Sequence, residues 1–243
     1  MNDVVLWKPL YYTSIAMFVL SLVLFPFSSQ WSIIVILALV TLWSRIPGFV
    51  HFIFNKLALN DLFTLIIAVH AGPLVGGLFG VFGIMFARIF GPNEWLPYSI
   101  RASVAVFVAG ISVPLITSFT GGLDVTALYA FEGVLYFTYY ALVLLFWKEE
   151  IGLEIALLPA VIFFDFFMNA FLISVFGETL SNMMTIGLSS GWPFLIFSGV
   201  ILAYVMLARN GKRIAGLLER LWSKFGSGEK KERDENLAYR IGI

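Results

Sequence analysis

The sequence predicts an all-α protein, a polytopic bundle of transmembrane helices. Of its 243 residues, 60% are hydrophobic and only 12% are charged, whereas a soluble domain has about 25% charged residues. Its mean hydropathy is +0.94, and apolar runs close to the ~20 residues that cross a bilayer recur along the chain. We therefore expect a multi-pass protein of the cell membrane, with the lipid bilayer as its main partner and no nucleic-acid partner.

The apolar runs predict about eight spans, within a range of six to eight. The second run is short, and the third contains Lys56, Asn60 and Asp61, so the two could merge and leave seven spans. The eight predicted spans are 10–28, 31–44, 49–69, 72–90, 102–119, 126–147, 153–177 and 189–208.

The distribution of charge favours eight spans with both termini in the cytoplasm. Nine of the 15 Lys and Arg residues follow position 208, and the positive-inside rule places such a segment in the cytoplasm. Eight spans then put the remaining Lys and Arg residues on or near the same side, and leave outer loops at 29–30, 70–72, 119–125 and 178–188 without Lys or Arg. Seven spans would place Lys8, Arg45 and Lys56 outside.

Three segments follow from this pattern. Residues 1–208 form the transmembrane helical domain. Residues 209–226 have apolar side chains at helical spacing beside basic ones, which is typical of a cytoplasmic amphipathic helix lying on the membrane surface or docking on a partner. Residues 227–243 have mixed charge and little to bury, and we expect a disordered tail.

The stretch HAGPLVGGLFGVFG, residues 70–83, places five glycines in fourteen positions. It lacks the Lys-Ser/Thr ending of a phosphate-binding loop, and Pro73 suits the first turn of a helix. Small residues at every fourth position let membrane helices approach closely. We expect a helix-packing face, used within the chain or by a partner, formed by Gly72, Gly76, Gly80 and Gly83.

Polar side chains at membrane depth are candidates for function because burying them in lipid is costly. Asp165 lies near the middle of its span, and Asn169 follows one turn later on the same face. Glu132 lies in the outer half of its span, with Tyr136 on roughly the same face. His70 is at the outer turn. The predicted substrate-binding residues of an outward-facing pocket are thus His70, Glu132, Tyr136, Asp165 and Asn169; helix pairing is the alternative role for Asp165 and Asn169. Ion pairing with Arg88 is expected for Asp61.

No enzyme motif is present. The sequence lacks HExxH and GxSxG patterns, has two histidines and has no cysteine, so we expect no catalytic residues, no metal site and no cofactor. Regularly spaced arginines or a selectivity-filter sequence, typical of voltage sensors and channels, are also missing.

Residues 60–90, NDLFTLIIAVHAGPLVGGLFGVFGIMFARIF, resemble the second and third helices of the S components of energy-coupling factor transporters. The shared pattern is a short apolar helix, a Gly-Pro turn and a GxxxG helix. The resemblance implies a small helical bundle that captures a vitamin or metal ion in an outward-facing pocket. It further implies a membrane coupling subunit and ATPases as partners.

Two main hypotheses follow. The first is a non-enzymatic protein that binds a small solute, vitamin-like or ionic, for uptake. The second is a membrane scaffold or assembly subunit whose glycine-faced helix receives partner transmembrane helices. A proton- or sodium-coupled carrier with Asp165 as the coupling acid is a third, weaker hypothesis.

Overall fold

The computed structural model describes residues 4–44, 59–90 and 96–186. Over these residues the chain is helical and contains no strand, which confirms the all-α prediction. Outside the described residues lie positions 49–58 of the third predicted span, the eighth span at 189–208, the amphipathic helix at 209–226 and the tail at 227–243. The α-helices are α1 (Val4–Leu24), α2 (Ser29–Ser44), α3 (Asn60–Ala71), α4 (Pro73–Phe90), α5 (Leu96–Thr120), α6 (Val125–Phe146), α7 (Ile151–Val161) and α8 (Asn169–Ile186).

Three stretches of the described chain are long and apolar enough to cross a membrane: Tyr98–Thr120, Val125–Phe146 and Glu154–Thr185. Their outer surfaces carry large apolar side chains that face away from the protein, including Phe119, Phe137 and Phe171, which are 83%, 78% and 64% exposed. Contiguous exposed apolar surface of this kind is typical of contact with lipid. Helices α1 to α4 contribute shorter apolar stretches.

Helices α1 and α2 form a hairpin that is held by small polar side chains. The hydroxyls of Ser21 and Ser32 lie 2.9 Å apart, and Ser32 also donates to the carbonyl of Ser21 at 2.8 Å. At the other end of the hairpin, the indole N–H of Trp43 donates to Ser14 at 3.0 Å. Since the interior offers no water, these bonds satisfy groups that would otherwise be costly to bury.

Helices α3 and α4 meet at a tight turn, as the sequence predicts. Gly72 ends α3 with a φ of 103°, a left-handed conformation that glycine adopts without steric cost. Pro73 then begins α4, at a position where its missing N–H costs nothing. The turn folds α4 back along α3.

The two helices then pack with almost no space between them. A Cβ atom at Gly76 would lie 2.4 Å from Cβ of Ala68, one at Gly80 would lie 2.8 Å from the hydroxyl of Thr64, and one at Gly83 would lie 1.9 Å from Oδ1 of Asn60. The partners on α3 recur every four residues and run in the opposite direction to the glycines. Backbone approach of this kind is the basis of small-residue packing in membranes.

On its other side, α4 packs against α5. Gly110 of α5 faces the backbone of Gly77, and Phe107 covers Gly77 from the same helix. Buried side chains of α2, α3, α5 and α6 complete the core. Helix α3 lies within it, with Leu65, Ile66 and Ile67 wholly inaccessible to solvent.

Helices α7 and α8 are joined without a break by a π-helical segment, Ile162–Met168. The backbone N–H of Asn169 bonds to the carbonyl of Phe164, five residues earlier, which is the π-type spacing. Pro159 removes a backbone donor shortly before the segment begins. Asp165 lies in this π-helical segment, and its side chain is buried in the interior.

Candidate functional site

Glu132 lies on α6 and is completely inaccessible to solvent. Among the residues that the structure describes, no donor hydrogen-bonds to either of its carboxyl oxygens. A buried polar group left in this condition costs about 1–3 kcal/mol, and more if it is charged. Because a buried acid without a hydrogen bond destabilises the fold, its presence indicates a function that offsets this cost. Glu132 is therefore the first residue of the candidate site.

Two further acids, Asp165 of the π segment and Asp61 of α3, are near enough to Glu132 to interact with it electrostatically. Asp165 is itself 4% exposed, and the hydroxyl of Tyr136 donates to its Oδ2. Tyr136 lies one turn after Glu132 on α6, so a single helix face presents both an acid and a hydroxyl to the π segment.

Asn169 completes the cluster at the start of α8. It lies within reach of Glu132 and is 2% exposed. Within the described part of the chain its Nδ2 finds no acceptor. The amide of Asn169 interacts with the Glu132 carboxyl, but the geometry between the two groups falls outside that of an ordinary hydrogen bond. We call Glu132, Tyr136, Asp165 and Asn169 the polar cluster.

Aromatic rings line one side of the polar cluster. The rings of Tyr136 and Phe166 are stacked with centroids 6.0 Å apart, and the ring of Tyr140 lies 6.1 Å from that of Tyr136. The ring centroid of Tyr129 lies 5.9 Å from that of Phe166. The row gives the acidic site a rigid apolar wall whose ring faces carry partial negative charge.

A second buried polar group lies nearer the start of α5. Arg101 is 1% exposed, and its Nη2 lies 3.7 Å from Oε1 of Glu154. The hydroxyl of Tyr139 donates to the same oxygen at 2.5 Å. The guanidinium is enclosed by aromatic rings, with its Cζ 4.9 Å from the ring centroid of Trp147 and 5.5 Å from that of Tyr139. This arrangement pairs charge with charge and joins α5, α6 and α7.

His70 lies apart from the polar cluster. Its Nε2 is 2.9 Å from the hydroxyl of Ser181, and its Nδ1 is 3.2 Å from that of Thr185. Ser181 lies twelve residues beyond Asn169 on α8, or about 18 Å along a helix. Burial lowers the pKa of His70. Its backbone carbonyl accepts from Gln30 at 3.0 Å, so this residue ties α2, α3 and α8 together at one end of the bundle.

The glycine face is filled from within the chain. Gly76, Gly80 and Gly83 all face α3, as described above, while Gly72 belongs to the turn and has open space around it. The stripe from Gly76 to Gly83 therefore packs against α3 of the same chain. The expected ion pair of Asp61 with Arg88 lies outside the described side chains.

No family model, curated protein or solved structure matches this chain. The resemblance of residues 60–90 to S components therefore stays a prediction.

The structure brings together four of the five predicted binding residues and adds two that sequence reasoning missed. Glu154 lies at the edge of a predicted span and Arg101 just before another, on the side predicted to be cytoplasmic, so the sequence pattern does not predict their pairing. The position of Glu154 within an apolar run was a usable signal. Across the side chains that are described, no three acids or histidines lie close enough to hold a metal ion.

Proposed function

We propose that this protein binds a small solute in the polar cluster for uptake across the cell membrane. The observation that carries the proposal is the condition of Glu132, which is fully buried with neither carboxyl oxygen hydrogen-bonded within the described chain. A helix bundle satisfies its buried polar groups internally unless they serve a ligand or a coupled ion.

The surroundings support a binding site over a structural pair. The hydroxyl of Tyr136 donates to Oδ2 of Asp165, and this hydrogen bond restrains the orientation of the carboxylate. Nδ2 of Asn169 lies beside the Glu132 carboxyl, so one ligand could contact both groups. Binding sites commonly combine a few convergent polar groups with an aromatic and apolar wall, and the row of rings beside Tyr136 supplies that wall.

The proposal includes the topology of eight spans with both termini in the cytoplasm. In that arrangement α6 begins at the outer surface, and Glu132 lies seven residues into it, about 10 Å along the helix. The polar cluster then belongs to the outer half of the bundle and is reached from outside. Coupling to a separate membrane subunit and ATPases is part of the same proposal, as the resemblance of residues 60–90 implies.

The test is binding to the purified, full-length protein. The protein is extracted in mild detergent and denatured, and the released small molecules are identified by mass spectrometry. In parallel, its melting temperature is recorded against a panel of vitamins, amino acids, amines and metal salts. We expect one solute class to be retained or to raise Tm, and the effect to be lost in Asp165→Asn.

Glu178→Gln is the matched control, because Glu178 is an exposed acid on the same helix stretch and its removal changes net charge equally. A chain that retains nothing, and whose Tm is constant across the panel, contradicts the proposal. A solute effect that survives unchanged in Asp165→Asn places binding elsewhere and contradicts the assignment of the site.

A further inference from the structure

We propose that the π segment, Ile162–Met168, is a register switch that presents either Asp165 or a phenylalanine to Tyr136. The switch works because the wide turn can move along the helix while α7 and α8 keep their positions. This inference goes beyond the proposed function, since it concerns the state of the site whatever solute binds there. It is carried by the hydrogen bonding of the segment, the contacts of its two flanks and its sequence.

The wide turn contains one residue more than a regular helix would. The backbone N–H of Asn169 bonds to the carbonyl of Phe164, five residues earlier, where an α-helix uses the fourth. An α-helix turns by about 100° per residue, so an extra residue held within one wide turn leaves the helices before and after it in phase. Moving the wide turn by one residue therefore rotates only the residue that it passes, by roughly 100°.

The two flanks of the segment are each fastened to other helices. On α7, Oε1 of Glu154 accepts from the hydroxyl of Tyr139 of α6 at 2.5 Å. On α8, the hydroxyls of Ser181 and Thr185 lie 2.9 Å and 3.2 Å from the ring nitrogens of His70 of α3. A rotation of α8 against α7 would break one of these sets of contacts. A displacement confined to the wide turn leaves both in place.

The sequence of the segment suits such a displacement. It reads IFFDFFM, so two phenylalanines precede Asp165 and two follow it. Between Phe163 and Phe167, a shift by one residue replaces phenylalanine by phenylalanine except at Asp165 and its immediate neighbour. Phe163 and Phe167 themselves are exposed at the surface, where lipid solvates one large apolar side chain as well as another.

The exception lies at the polar cluster. In the structure the hydroxyl of Tyr136 donates to Oδ2 of Asp165, which is the buried residue of the segment. The positions on either side of it, Phe164 and Phe166, are half-buried. A shift by one residue turns Asp165 into one of these positions and places a phenyl ring opposite Tyr136. On the proposed function, this exchange of an acid for an apolar group lowers the affinity of the cluster for a polar solute.

Two deletions of a single residue trap the two registers. Removing either Phe163 or Phe167 takes out the extra residue, and the segment closes to an α-helix between unchanged flanks. The two chains have the same length and composition, but Asp165 is in phase with α8 in the first and with α7 in the second. Its two orientations differ by about 100°. The control is deletion of Phe137, which is exposed on α6, a helix that is α-helical throughout.

Thermal unfolding of the full-length chains in detergent, without added solute, is the first measurement. We expect both segment deletions to keep Tm within about 5 °C of the original chain, and deletion of Phe137 to abolish the cooperative transition. Adding Tyr136→Phe should then lower Tm by about 4 °C in one of the two segment deletions, the one in which Asp165 still faces Tyr136, and leave Tm unchanged in the other.

Two results of this measurement overturn the proposal. If either segment deletion is as damaging as deletion of Phe137, the segment holds no removable residue or does not tolerate both registers. If Tyr136→Phe has the same effect in both segment deletions, Asp165 has not changed its position relative to Tyr136.

Exchange between the registers is measured in the chain of original length. A fluorotyrosine in place of Tyr136 keeps the hydroxyl, and its fluorine NMR spectrum is recorded in this chain and in the two segment deletions. We expect two exchanging signals in the original chain, at the positions found in the two deletions. One signal, with no second state detected by saturation transfer down to a population of ~1%, overturns the switch. Since no solute is present, these results leave the proposed function to the solute panel described above.

Discussion

The hydroxyl of Tyr136 donates to Oδ2 of Asp165, and this bond joins the middle of α6 to the π segment. Removing the hydroxyl in Tyr136→Phe leaves a buried carboxylate with one donor fewer. We expect the free energy of unfolding to fall by about 1–3 kcal/mol, with weaker solute binding. Tyr129→Phe is the control, because Tyr129 also stacks on Phe166 and its ring is retained. Chemical denaturation in detergent measures the free energy of unfolding of both variants. Equal losses of stability in Tyr136→Phe and Tyr129→Phe would contradict a special role for the Tyr136 hydroxyl.

Gly76 leaves no room for a methyl group against Ala68. We expect Gly76→Ala to destabilise the protein by about 1–3 kcal/mol, since overpacking forces the helices apart. Adding Ala68→Gly to the same chain removes the methyl group that the new Cβ would contact, and should restore part of the lost stability. Gly133→Ala is the control, because a Cβ at Gly133 meets nothing within 4 Å. The comparison is made by thermal unfolding, and additivity of the two changes would count against direct contact.

Arg101 and Glu154 form a buried ion pair under an aromatic cover. Glu154→Leu removes the carboxylate that lies beside the buried guanidinium, and we expect a loss of about 3–5 kcal/mol. Adding Arg101→Leu should recover most of it, because replacing a whole buried pair by apolar residues is often nearly neutral. Glu149→Gln, an exposed acid nearby, should change stability little. If the double variant Arg101→Leu, Glu154→Leu is as unstable as Glu154→Leu alone, the pair stabilises the fold by more than compensating two buried charges.

His70 should make stability depend on pH. Burial lowers the pKa of His70 in the folded state from its ordinary value of 6.5, so folding favours the neutral ring. The folded state is then at its most stable above pH 6.5, and stability declines as the pH falls below that value, because the unfolded chain binds the proton more readily. His70→Gln cannot titrate and should flatten this part of the curve. The measurement is Tm from neutral to mildly acidic pH, and identical slopes for both proteins would contradict the expectation.

The eight-span topology makes a prediction about sidedness. The chain has no cysteine, so a single introduced thiol reports on its own position. Thr126→Cys at the start of α6 and Glu149→Cys after its end are both exposed positions. We expect a membrane-impermeant maleimide to label Thr126→Cys in intact cells, and Glu149→Cys only after the membrane is opened. The reverse pattern would invert the bundle and place the polar cluster in the cytoplasmic half.

Sequence reasoning reached the helical fold because hydropathy reports directly on the solvent that surrounds a helix. It reached the turn at Gly72 and Pro73 because both residues are restricted by their own backbone chemistry. It also placed Asp165 and Asn169 on one face, and both line the polar cluster. Their relative placement in the structure, however, depends on the π segment, and nothing in a hydropathy pattern distinguishes a π turn from an α turn.

The pairing of side chains from distant parts of the chain was not predictable from the sequence for a related reason. Tyr136 and Tyr139 lie on similar faces of α6, yet one reaches Asp165 and the other Glu154. Which acid each meets is decided by how α7 and α8 lie against α6, not by any local pattern. The glycine stripe shows the same limit, since its spacing indicated close packing but left open whether α3 or another protein would fill it.

The close fit of α3 against α4 has a mechanical consequence. Three successive contacts without space for a methyl group resist both sliding and rotation, because a displacement brings closely packed atoms of the two helices into collision. The two helices then move as one rigid body, to which α5 is fastened at Gly77 and Gly110. Any motion that opens Glu132 to a ligand then falls to the side of the bundle formed by the π segment, where the regular α-helical hydrogen bonding is interrupted.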